Sequence, residues 1–143
     1  MDIVHATKPG VTRCLLRFRE CYDPLMVQTL PAPKDARGHV IALEPISGLL
    51  DLIQSSLHPT AVWLFGSRAR GEAKPTSDWD LLVVVPDDAP AASDPMAGWN
   101  IHKKVKVPAD VIVCPATEFA EGRETVCTLA YEAAHFGVPI YGC

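Results

Sequence analysis

No stretch of this 143-residue chain approaches the roughly 18 consecutive apolar residues that a membrane-crossing helix needs, so a spanning protein is not expected. The start, Met1-Asp2-Ile3-Val4-His5, has neither the basic segment nor the apolar segment of a secretory leader, which makes a cytoplasmic location the default expectation. Excess positive charge is also missing. Lys and Arg number 13 against 17 Asp and Glu, for a net charge of −4, which argues against general nucleic-acid coating. The five cysteines (Cys14, Cys21, Cys114, Cys127 and Cys143) are odd in number, form no C-x-x-C and match no zinc-ligand spacing. Reduced thiols in a reducing compartment are therefore expected. The five histidines show no H-x-x-x-H pairing. Neither G-x-x-x-x-G-K-[ST] nor G-x-G-x-x-G occurs, which removes two common phosphate-binding loops. Internal repeats and low-complexity tracts are absent as well.

What remains is ordinary globular composition, 48% hydrophobic and 21% charged, in a length that suits one domain. Residues 1–45 read as an N-terminal extension, a hairpin or arm packed on the core, and residues 46–143 as the main domain. In the extension Cys14, Leu16 and Phe18 alternate with Arg13, Arg17 and Arg19 as in a half-buried strand, and Pro24, Pro31 and Pro33 mark a turn-rich stretch. From Ile46 the pattern is regular. Ile46, Leu49, Leu50, Ile53 and Leu57 form one stripe of a helix that Pro59 stops. Apolar runs predict strands at Ala61 to Phe65, Leu81 to Val85 and Asp110 to Cys114, with a short one at Val138 to Tyr141. A modest helix is expected around Met96 to Lys104, and another from Thr125 to Phe136 with Gly137 as its stop. The alternation gives an α/β or α+β fold: a mixed sheet flanked by helices, expected to cover one side.

Chemistry concentrates in two segments, Leu64 to Gly71 and Ser77 to Leu81. Asp78 and Asp80 are two apart at the start of an apolar strand, which sets both carboxylates on one face and turns Trp79 into the core. Two unit charges about 4 Å apart repel by about 4 kcal/mol at an effective dielectric near 20, so the pair needs a shared proton or a cation. Oxygen donors favour Mg2+, with Mn2+ as the close alternative. Gly66 and Ser67 stand where a strand gives way to a polar turn, and exposed N–H groups there suit phosphate oxygens. Arg68 and Arg70 are candidate phosphate contacts, weighed against a solvated helix face. Asp110 opens the third strand, and if that strand lies beside Leu81 to Val85 it completes an acidic triad able to orient an attacking hydroxyl. Lys103, Lys104 and Lys106 read as a solvated face, and His102, just before the third strand, is the histidine nearest this chemistry.

These residues resemble the nucleotidyltransferase superfamily that includes DNA polymerase β, and its minimal nucleotidyltransferase branch in particular. The signature is Gly-Ser, ten residues, then Asp-x-Asp. Gly66-Ser67, residues 68–77 and Asp78-Trp79-Asp80 follow it without a gap, and Phe65 to Gly71 and Ser77 to Leu81 match the branch's longer form. The resemblance covers about Ile46 to Gly142. It implies a polymerase β-like fold and two metal ions, with Asp78 and Asp80 binding both and Asp110 binding the catalytic one. Ser67 would hold the β- and γ-phosphates of ATP or another nucleoside triphosphate. A nucleoside monophosphate would pass to a hydroxyl acceptor with release of pyrophosphate.

Relatives that modify antibiotics or polymerise nucleic acid carry a further domain for the acceptor, and none is read after this core. Acceptor recognition is expected from a partner chain, the extension or a homodimer. The minimal branch resembles the antitoxin half of toxin–antitoxin pairs whose partner is a HEPN-type ribonuclease, in which a tyrosine of the toxin is adenylylated. A non-catalytic partner-binding antitoxin module and a homodimeric small-molecule nucleotidyltransferase are the alternatives.

Overall fold

The stripe that begins at Ile46 becomes a helix because all five of its members find apolar cover: Ile46, Leu49, Leu50, Ile53 and Leu57 are at most 9% exposed. The computed structural model describes residues 31–142, so the alternating segment from Cys14 to Arg19 lies outside the described residues. A 3-10 turn at Glu44–Ile46 leads into helix α1 (Ser47–Leu57). His58 closes that helix in a left-handed conformation, its N–H donating to the Gln54 carbonyl, with Pro59 next in sequence.

Strand β1 (Ala61–Phe65) runs into helix α2 (Ser67–Arg70), and the chain returns as β2 (Trp79–Val85), antiparallel to β1. β2 pairs in parallel with β3 (Ala109–Pro115). A parallel pair needs a long crossover, and residues 86–108 supply it, with a 3-10 turn at Pro90–Ser93 and helix α3 (Ala97–His102). α3 is shorter than the Met96 to Lys104 helix expected. It lies so close to β3 that a Cβ on Gly98 would stand 1.9 Å from the Val111 carbonyl oxygen.

Helix α4 (Ala116–Gly122) then leads to α5 (Leu129–Phe136) and to β4 (Val138–Gly142), which pairs antiparallel with β1. The strand order β3-β2-β1-β4 makes one mixed, four-stranded sheet in an α+β fold. α5 starts later than expected. Cys127 takes a positive φ of 69°, and the Thr128 hydroxyl accepts the Tyr131 N–H at 3.0 Å as a helix cap, so the first turn forms only after Thr128.

The expectation of helices on one side of the sheet is corrected by two separate cores. Val62, Leu64, Leu81, Val83 and Val85 pack under α1 together with Ile101 of α3. Ala61, Phe65, Leu82, Val84 and Cys114 pack on the opposite face against Phe119 of α4 and Ala130 and Ala133 of α5. The physical reason is already in Leu81 to Val85: an unbroken apolar strand puts hydrophobic groups on both faces, whereas a sheet with one wet face alternates. Of the extension, residues 34–40 form a small loop closed by a Lys34–Val40 bridge. Asp35 Oδ1 accepts the N–H groups of Arg37 and His39, and the Ala36 N–H donates to the Ala69 carbonyl at 2.8 Å, which seats the loop on α2.

Candidate active site at one edge of the sheet

Pairing places the acidic residues. β1 and β2 are antiparallel, so the end of β1 meets the start of β2, and Phe65 stands opposite Asp80. β2 and β3 are parallel and in register, so Asp110 stands beside Asp80. Asp80 shares a strand face with Leu82 and Val84, on the side covered by α4 and α5, and is partly buried. Asp78 lies one residue before β2 and is exposed, as is Asp110. Trp79 points the other way and is 4% exposed, as its alternation with the aspartates implies.

Burial pushes the Asp80 carboxyl above the usual carboxylate range, the charges of Asp110 and Asp78 push it further, and Arg70 offsets part of the rise. Among the described residues no three Asp, Glu, His or Cys side chains already form a closed cage for an ion. The donor set is nevertheless all oxygen and crowded with like charge, which suits a hard divalent cation.

Gly66 makes the arrangement possible. Its φ of 73° and ψ of −154° belong to a region that essentially only glycine occupies. A Cβ there would stand 2.1 Å from Asp80 Oδ2. Spacing alone suggests a glycine that admits a ligand; the structure adds that this glycine leaves room for the carboxylate itself. The first backbone bond of α2 is Arg70 N–H to Gly66 O at 3.1 Å, so the N–H groups of Ser67, Arg68 and Ala69 precede the hydrogen-bonded turn. Ser67 thus begins the turn immediately beside the acidic edge.

The two arginines have different surroundings. Arg68 donates from Nη2 to the Ser77 carbonyl at 2.7 Å and lies over the Trp79 ring at 4.2 Å. Its guanidinium clamps the 71–78 loop that delivers Asp78, a role that spacing did not suggest. Arg70 donates from Nε to Glu72 Oε2 at 3.0 Å, stands 3.8 Å from Glu132 and contributes favourable charge to Asp80. Lys103, Lys104 and Lys106 are exposed and do not line the groove over Asp80 and Asp110.

A groove of about 560 Å³ opens over Asp80 and Asp110, lined also by Phe65, Trp99, His102 and Leu129. His102 is thereby brought to the site. Trp99 and Leu129 were missed in sequence: nothing in the text around them distinguishes a groove-lining side chain from a buried one. Among the described residues no helix is long and apolar enough to cross a membrane.

A Gly-Ser turn set against an acidic strand edge in a mixed α+β sheet is the arrangement of a nucleotidyl-transfer domain. The family described as "Nucleotidyltransferase domain" matches residues 46–132, more than half of the chain, and the chain belongs to that family. A solved structure from Sulfolobus solfataricus, assigned as a nucleotidyltransferase, is similar at 28% identity over 55% of this chain and 71% of that one. Its TM-score of 0.44 marks a partial superposition. No protein of curated function matches the chain.

Proposed function

We propose that this chain transfers a nucleoside monophosphate, AMP from ATP in the first instance, to a hydroxyl acceptor in a Mg2+-dependent reaction. The observation that carries the reading is the contact between the two halves of the motif: Gly66 has no room for a Cβ because Asp80 Oδ2 occupies that space, and Asp110 is in register with Asp80. The phosphate-binding turn and the carboxylates therefore face one ligand.

Asp78 and Asp80 would hold two ions and Asp110 would share the one nearer the acceptor; the same oxygens accept Mn2+. Bound there, the ions supply positive charge against the phosphates and favour deprotonation of the acceptor hydroxyl. The Ser67 hydroxyl and the N–H groups of its turn donate to the β- and γ-phosphate oxygens. Arg70 adds charge at the same edge. Asp110 orients the acceptor hydroxyl and accepts its proton. The hydroxyl oxygen bonds to the α-phosphorus, the bond from that phosphorus to the bridging oxygen breaks, and pyrophosphate leaves.

For the acceptor we favour a tyrosine of a HEPN-type partner protein, which makes this chain the antitoxin member of the pair. In support, Leu129 on the groove lip is 47% exposed and Val126 in the preceding turn is 66% exposed, an apolar margin suited to a macromolecule. The test is incubation with Mg2+, the partner and ATP labelled at the α-phosphate. Label retained on the partner after denaturation is expected, and γ-labelled ATP should leave none. No transfer to a folded partner overturns the acceptor assignment. A second reading, a module that neutralises its partner by contact alone, draws on the same exposed apolar margin at Val126 and Leu129, which suits docking without chemistry. Asp78→Ala separates the two, since a contact module keeps its protective effect and an enzyme loses it.

A further inference from the structure

We infer that Trp99, paired with His102, is the platform on which the nucleobase of the triphosphate stacks. The inference rests on the nucleotidyl-transfer reading and adds a grip on the end of the substrate remote from the phosphates. Three features carry it. Trp99 is 57% exposed, although a covered tryptophan removes roughly 150–250 Å² from water. It lines the same groove as Asp80 and Asp110, whose volume of about 560 Å³ lies within the ordinary range for small-molecule sites. It is also anchored: Gly98, the preceding residue, is pressed against the Val111 carbonyl, and the His102 ring meets the indole edge-on, with centroids 5.8 Å apart and planes at 70°.

The chemistry of the groove then defines its ligand. Its lining carries carboxylates, where cations and a polyanion belong, and also a flat aromatic surface with its root held in place. A nucleoside triphosphate is polyanionic at one end and planar and apolar at the other. The argument concerns a face, not an edge, so any base with a π-face should serve, and discrimination between purines should be weak.

Calorimetry with the intact chain in excess Mg2+ tests this, using ATP, GTP and inorganic tripolyphosphate as probes. Stacking on one aromatic ring corresponds to roughly a tenfold gain in affinity. Wild type should therefore bind ATP about tenfold more tightly than tripolyphosphate, with GTP within about threefold of ATP. Trp99→Ala should bring ATP down to the affinity of tripolyphosphate and leave tripolyphosphate unchanged. Trp99→Phe should restore most of the difference. If Trp99→Ala binds ATP as wild type does while tripolyphosphate still binds, the stacking inference is overturned and the transfer reading stands. Equal loss for ATP and tripolyphosphate also overturns it, because the ring would then act on the fold or the phosphate end. If wild type binds none of the three probes, the transfer reading fails and takes the stacking inference with it.

Discussion

The two faces of β2 differ in one respect that organises the molecule. On the α1 side Trp79, Leu81, Val83 and Val85 are all 4% exposed or less, an unbroken apolar row from end to end. On the other side Leu82 and Val84 are just as buried, but the row ends in Asp80, which is partly open to the groove. The first face holds the strand, and the second uses its last position for charge. A cluster of like charges is tolerable at a strand end, where cations and water reach it. The same cluster one turn of the pleat deeper would face Phe119 and Ala133, with nothing to offset it.

Neutralising the charged end should perturb the molecule most. Asp80→Asn should lower transfer by roughly 10³-fold or more, as loss of a central catalytic group does. In the absence of divalent cations the same variant should melt at a higher temperature than wild type, because a partly buried carboxylate crowded by Asp110 and Asp78 has been removed. Activity assays paired with thermal melts check both halves, and a lower melting temperature would contradict the account of the acidic edge. On the closed face Leu81→Ala should cost about 3 kcal/mol in urea unfolding, since Leu81 is 0% exposed and its removal leaves a cavity. Activity per folded molecule should change far less than with Asp80→Asn.

Gly66→Ala tests the join between the two ends. Its Cβ would overlap Asp80 Oδ2 in a backbone region closed to alanine, so a loss of roughly 1–3 kcal/mol is expected, with weakened Mg2+–ATP binding. The smallest effect concerns Cys114, on the groove side of the sheet. Burial, and secondarily the charge of Glu118, push its thiol from 9.0 to about 11. An acid whose folded pKa is raised stabilises the fold below its unfolded pKa and loses that contribution as pH rises through the folded one. Wild type should therefore lose stability relative to Cys114→Ala between pH 9.0 and about 11, as read from urea midpoints at both limits. A constant difference between the two proteins across that window would contradict this.

Local spacing made the acidic pair and the Gly-Ser turn legible, because an i, i+2 relation and a strand-to-turn junction are properties of a few consecutive residues. The flanking strands were legible for the same reason, as was the inward turn of Trp79. Features set by distant partners were not. α4 is held at its start by Asp87, which accepts the Thr117 N–H at 2.9 Å and the Thr117 hydroxyl across 30 positions of sequence. No pattern within residues 116–122 announces it. Arg68 reads as a candidate phosphate contact, and its hydrogen bond to the Ser77 carbonyl nine residues on is a further tie that no local pattern announces. Trp99 sits in a stretch that reads as a modest helix, and only the seating of Gly98 on β3 shows which way that helix is turned. The unbroken run Leu81 to Val85 itself implies burial on both faces, which a one-sided cover cannot provide.

The parallel pairing of β2 with β3 has a consequence for how such a domain diversifies. It obliges the chain to leave the sheet and come back, and the excursion of residues 86–108 is where Trp99 and His102 reside. Asp80 and Asp110 are held by strand pairing on either side of that excursion, so substitutions confined to its groove-lining side chains leave that pairing in place. If the stacking inference holds, changes at Trp99 and His102 would alter what the groove recognises and leave the carboxylate edge in place, and an engineer wishing to redirect its appetite should start here.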